Sequence, residues 1–146
     1  MTKKIIIIGS GFSSISAATY LADKGYDVTI LEKNTSYGGR ARKFKAQGFT
    51  FDMGPSWYWM PDVFEKYFND FNKKVDDYYT LKKLDPAYRV YFAKNDFIEI
   101  GDNLEKISQT FEEHEKGSSK KLMKFMAEAK KNYSIAMEKV VYKPGE

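Results

Sequence analysis

Four consecutive isoleucines run into a glycine turn near the start of the chain: Ile5-Ile6-Ile7-Ile8-Gly9-Ser10-Gly11. An unbroken β-branched run is the pattern of a parallel strand covered on both faces. Gly9 lets the chain turn sharply at the strand end, and Gly11, lacking a Cβ, lets a ligand approach the backbone. A helix starting near Gly11 has Ile15, Ala18 and Leu21 spaced to face a sheet, and Lys24-Gly25 ends it with a left-handed cap. Asp27–Leu31 reads as the second strand, and Glu32 stands at its carboxyl end, 23 residues after Gly9. Strand, glycine turn, helix, strand and acid in this order form a βαβ unit able to hold the ADP half of a dinucleotide.

Each residue type has a reason in that chemistry. The unpaired N–H groups and positive dipole end of the helix attract a pyrophosphate. The Glu32 carboxylate accepts hydrogen bonds from ribose hydroxyls and repels a 2′-phosphate, which favours NAD or FAD over NADP. Gly38-Gly39-Arg40 follows: two glycines let the backbone pass close to a ligand, and a guanidinium pairs with phosphate through two donors. The third glycine of the G-x-G-x-x-G pattern is Ser14 here, a small residue expected to shift the helix slightly. The competing reading is a βαβ unit whose glycines serve only its turns.

Together with Gly48-Phe-Thr-Phe-Asp-Met-Gly-Pro55, these residues resemble the opening of bacterial-type phytoene desaturases, FAD-dependent members of the flavin amine oxidase superfamily. The likeness is strong from residue 3 to about 61 and carries no diagnostic motif beyond. It implies an α/β fold: a Rossmann-like FAD-binding βαβ unit in residues 1–60, then the start of an α+β substrate or membrane-side region in 61–146. By the resemblance Gly9, Gly11, Phe12, Ser13 and Ser14 line the pyrophosphate. Glu32, with Lys33 beside it, binds the adenosine ribose. Gly39 and Arg40 lie along the phosphates and the ribityl side, and Gly54 and Pro55 approach the flavin. The implied activity is FAD-dependent desaturation of a carotenoid precursor such as phytoene, in carotenoid biosynthesis, with a quinone or oxygen reoxidising the flavin. No catalytic residue is named within 1–146. Alternatives are a carotenoid isomerase or amine oxidase of the same superfamily, or a non-catalytic dinucleotide-fold binding module. Because such enzymes are several hundred residues long, the chain reads as an amino-terminal piece, expected to be colourless as purified.

Composition narrows the rest. The chain has 146 residues, 42% apolar, enough for one modest core, and no cysteine, which excludes disulfide, zinc-knuckle and thiol chemistry. There is no secretory signal pattern, and the isoleucine run is far too short to span a bilayer. A cytoplasmic place, or a peripheral one on the inner membrane face of a bacterium, fits this pattern. The net charge of +4 belongs to residues 1–60, which hold eight Lys and Arg against four Asp and Glu; residues 61–146 hold sixteen of each. A basic rim facing a diphosphate or an anionic membrane explains the excess, and no nucleic-acid motif accompanies it.

Downstream, Gly54–Pro61 concentrates both tryptophans, as a wall near a flavin or substrate channel, or as core packing or a domain junction. Pro61 opens a helix whose Val63, Phe64, Tyr67, Phe68 and Phe71 share a face. Strands are expected at 78–84, 88–92 and 97–100. A capping-box pattern at Asp102–Glu105 starts a helix with Leu104, Ile107 and Phe111 inward. A last helix over 120–141 carries a regular apolar stripe flanked by lysines, a pattern that covers a core or lies in a membrane interface. The only histidine, His114, sits among charged residues of an exposed helix end, and no acidic cluster has metal-ligand spacing.

Overall fold

A computed structural model describes residues 2–54 and 57–143. The chain divides into two compact units, residues 1–80 and 81–146, whereas the sequence pattern suggested a change at residue 60. The difference lies in the helix that Pro61 opens, which packs within the first unit.

In that unit β1 (Lys4–Ile8) and β2 (Asp27–Leu31) pair in parallel, with Ile5 opposite Val28 and Ile8 opposite Leu31. Between them runs α1 (Phe12–Asp23), which turns Ala18 into the core and half-buries Ile15 and Leu21. Its end is a Schellman cap: Gly25, at φ +81°, donates its N–H to the Ala22 carbonyl, and Tyr26 N–H reaches the Leu21 carbonyl. The expected double-sided burial of the isoleucine run is not found. Ile5 and Ile7 are half-buried, but Ile6 and Ile8 are 66% and 86% exposed. A two-stranded sheet with one helix covers a single face, so alternate side chains of β1 remain bare.

Residues 43–52 form a hairpin that the sequence pattern did not suggest: β3 (Lys43–Ala46) pairs antiparallel with β4 (Phe49–Asp52). Gln47 and Gly48 both take positive φ, the geometry of a tight hairpin turn. Phe44 and Phe51, opposite each other, stack at 4.9 Å. α2 (Pro61–Asp70), with Pro61 in its first turn as expected, lies against α1. Phe12 meets Phe64 edge-on at 6.0 Å, Tyr20 packs on Tyr67 and Phe71, and Tyr20 Oη donates to Asp70 at 2.6 Å.

The expected strand over 78–84 is absent, since no neighbouring strand is there to take its backbone groups. Its aromatic residues pack instead: Tyr78 lies 4.8 Å from Phe68, and Tyr79 shares a 2.6 Å hydroxyl hydrogen bond with Tyr58. The core-packing reading of the tryptophans also fails, because Trp57 and Trp59 are largely exposed and it is Tyr58 that stacks on Phe64.

The second unit is a hairpin and two helices. β5 (Tyr88–Ala93) and β6 (Asp96–Ile100) pair antiparallel, with the Arg89 guanidinium bonded to Glu99 opposite and lying over the Phe97 ring. α3 (Leu104–His114) is capped by Asn103, whose side chain accepts from Lys106 N–H at 3.0 Å. The reciprocal box does not form, because the third helical position is Lys106, which pairs with Asp85 and Asp102. Leu104 and Ile107 are half-buried, while Phe111 is not. α4 (Ser118–Ala136) continues into a wider π-turn over Met137–Val141. The Glu112 carboxylate caps it, accepting from Gly117 N–H at 2.8 Å and Ser119 N–H at 3.0 Å. Among the described residues Ala18 and Ile100 are the buried apolar ones, so the single modest core expected from composition is two small ones.

Candidate dinucleotide site

The site is built at the carboxyl ends of β1 and β2. The parallel ladder continues one step past the strands, where Gly9 N–H donates to the Leu31 carbonyl at 2.6 Å. Gly9 then adopts φ +95°, open to glycine at little cost, and the chain swings into α1. Gly11 caps the helix in an extended conformation, and no acidic side chain sits in the first turn to neutralise the positive dipole end. A Cβ added to Gly11 would meet nothing within 4 Å. The space beside the Gly11 Cα is therefore open at the helix start, as an incoming phosphate requires, while the Gly9 and Ser10 amides of the turn are already bonded to Leu31 and Glu32.

The double-glycine segment closes over this turn. Gly38 N–H donates to the Ser10 carbonyl at 2.9 Å, and a Cβ on Gly39 would come within 3.1 Å of the Gly11 Cα. Gly54, at φ +102°, lies so close to Arg40 that a Cβ would overlap the Arg40 carbonyl oxygen. As a result Gly11, Phe12, Ser13, Ser14, Arg40 and Gly54 line one cavity of about 710 Å³, joined by Gly38 and Ala41. Gly9 and Gly39 are not among the residues lining it and take positive φ in the turns beside it. Pro55 falls outside the described residues.

Glu32 lines an adjoining cavity of about 460 Å³ with Ser10, Asn34 and Tyr37. Ser10 N–H and Oγ–H both donate to Glu32 Oε2, at 2.8 and 2.7 Å. Asn34 N–H and Nδ2–H both donate to Oε1, at 2.9 and 2.7 Å. These bonds, the Ser10 hydroxyl first, hold the Glu32 carboxyl at about 2 instead of 4.5. The group is a fixed anion at the end of β2. Lys33 points elsewhere, into a cavity shared with Arg42, Lys43 and Met53. Ser10 and Asn34 were not singled out in the sequence; a hydroxyl inside the glycine turn and an amide two residues after the acid were the available signals. Serine at position 14 lines the cavity from the helix, so the departure from the glycine pattern puts a hydroxyl-bearing residue at the site.

The set meets the requirements of a dinucleotide's ADP half. It offers bare backbone at a helix start, a guanidinium-bearing turn beside it and a carboxylate at the next strand end. Among the described residues no group of three His, Cys, Asp or Glu side chains could hold a metal ion.

Comparison with known proteins agrees with this geometry. A family model described as an NAD(P)-binding Rossmann-like domain matches residues 7–73. The chain is 46% identical over 138 residues to a carotenoid 3,4-desaturase of Haloarcula japonica, an alignment covering 94% of this chain and 28% of that protein. It is 39% identical over 146 residues to a 4,4′-diapophytoene desaturase (4,4′-diaponeurosporene-forming) of Staphylococcus haemolyticus, covering 97% of this chain and 29% of the relative. A Staphylococcus aureus enzyme of the same name is 40% identical over 147 residues. The chain thus spans less than a third of the length of these curated relatives. Residues 7–73 match a Rossmann-like domain, and over most of its length the chain is similar to a part, less than a third, of proteins named as carotenoid desaturases.

Proposed function

We propose that the chain supplies the nucleotide-binding part of an FAD-dependent desaturase that removes hydrogen from an apolar polyene in carotenoid biosynthesis. The observation that carries this reading is the convergence of the Gly11 helix start, Arg40 and Gly54 on one cavity, with Glu32 beside it. The bare Gly11 backbone and the first amides of α1 would receive the pyrophosphate, and Arg40 would pair with it. Glu32, a fixed anion, would accept from the ribose diol and repel a 2′-phosphate, which supports FAD over NADP. Bound FAD supplies the two-electron acceptor for dehydrogenating a carbon–carbon single bond. The names of the relatives support an apolar polyene as substrate. In the full protein, Glu32→Ala and Arg40→Ala should each lower flavin content and product formation together. Retention of both properties in both variants overturns the cofactor assignment.

A peripheral place on a membrane belongs to the same proposal. No helix among the described residues is long and apolar enough to cross a membrane. On α4 and the turn after it, exposed Phe125 and Val140 accompany Lys121, Lys124 and Lys139, a combination suited to an anionic lipid surface. Flotation with vesicles containing anionic phospholipid should weaken when these three lysines become glutamate; unchanged flotation removes membrane contact from the proposal.

A further inference from the structure

We propose that the side chains of Asn34 and Ser10 are internal competitors for the ribose, occupying the Glu32 lone pairs that a nucleotide's 2′,3′-diol must take. The inference rests on the ribose-binding role of Glu32 given above. A carboxylate offers about four lone-pair positions. In this chain four donors fill them: two on Oε2, from Ser10 N–H and Oγ–H, and two on Oε1, from Asn34 N–H and Nδ2–H. The two backbone donors are fixed by the chain. Ser10 N–H sits in the glycine turn, and Asn34 N–H follows two residues after the acid. The two side-chain donors can leave by rotation about single bonds. Asn34 is exposed, so its carboxamide has water to turn to when it leaves Glu32, while Ser10 is 5% exposed and its hydroxyl has only its rotor to turn. Asn34 is therefore the one of the pair that can give way to a diol, and the bond it gives up is subtracted from what the diol gains.

This predicts a sign that a supporting role would reverse. If Asn34 merely held Glu32 in place, its removal would weaken nucleotide binding. As a competitor, its removal strengthens binding. The experiment titrates ADP into the isotope-labelled protein and into Asn34→Ala, following the amide signals of Gly9 and Gly11, with 2′,3′-dideoxy-ADP as the control ligand. Asn34→Ala is expected to bind ADP about three- to tenfold more tightly. The dideoxy ligand, which makes no demand on Glu32, should bind both proteins equally. Asn34→Leu, similar in size and unable to donate, should behave like the alanine variant, and Ser10→Ala should shift affinity in the same direction. ADP binding by the original protein with unchanged or weaker binding by Asn34→Ala and Asn34→Leu overturns the competition while leaving the ribose role of Glu32 intact. An equal gain for the dideoxy ligand also overturns it. No ADP binding by any of the proteins overturns both the competition and the nucleotide reading beneath it.

Discussion

The two units of the chain use backbone geometry for different ends. Among the described residues, six glycines of the first unit adopt positive φ, at positions 9, 25, 38, 39, 48 and 54, against one, Gly117, in the second. Two of the six, Gly38 and Gly54, line the cavity at the start of α1. Gly38 and Gly54 would each bring a Cβ against backbone, and so would Gly39. Gly117 only starts a helix, and a Cβ there would meet nothing within 4 Å. The second unit is held instead by side-chain pairs at its surface: Arg89 with Glu99, Lys106 with Asp85 and Asp102, Lys121 with Glu115. Surface pairs of this kind contribute little individually and tolerate exchange. The first unit's cavity is shaped by missing side chains, and the second unit's surface is marked by those present.

Glycine replacement gives the largest contrast. Gly54→Ala forces a Cβ into the Arg40 carbonyl at a left-handed backbone, and should cost about 3–4 kcal/mol in denaturant unfolding. Gly117→Ala carries the backbone penalty alone, about 1–2 kcal/mol. Equal losses at the two positions would mean that the close approach of Gly54 to Arg40 is not a feature of the folded protein.

A smaller contrast concerns two carboxylates with the same kind of partner. Glu32 and Glu112 both accept backbone N–H groups, and both are held below the usual 4.5. For Glu32 the largest cause is the Ser10 hydroxyl, and its value falls to about 2; for Glu112 it is the Gly117 amide. A folded-state value below the unfolded one stabilises the protein above the unfolded value. That stabilisation is fully present above about pH 4.5 and is lost for Glu32 as pH falls toward about 2. Carbon-detected titration of the two side chains should find Glu32 titrating near 2. Ser10→Ala should move Glu32 upward and leave Glu112 unchanged. A Glu32 midpoint near 4.5 in the unaltered protein contradicts the four-donor arrangement.

How much was legible in the chain follows the same division. Periodicity and punctuation located β1, α1, β2 and α2, because local signals agree there: a β-branched run, a glycine at each end of α1, a proline at the start of α2. The same holds for β5, β6 and the two last helices. The β3–β4 hairpin escaped because its turn is Gln47-Gly48, with a non-glycine residue at positive φ, and because the lysines around Phe44 obscure the alternation. Residues 78–84 alternate like a strand, yet strand formation depends on a partner that periodicity does not report. For β1, four isoleucines announce two covered faces, and the elements of this chain cover one. At the site, residue types identified Glu32 and the glycines. The carboxylate's own partners depend on how the turn after Gly9 is wound against the end of β2, which is tertiary information.

The bond from Gly9 N–H to the Leu31 carbonyl has one more consequence. It stitches the loop proposed to face the phosphates to the residue directly before the acid proposed to face the sugar. The interval between the two recognition points is thereby set by one rung of backbone, before any visitor arrives. A nucleotide spanning them as proposed would meet a ruler already cut to length, so its binding would not have to set that backbone interval.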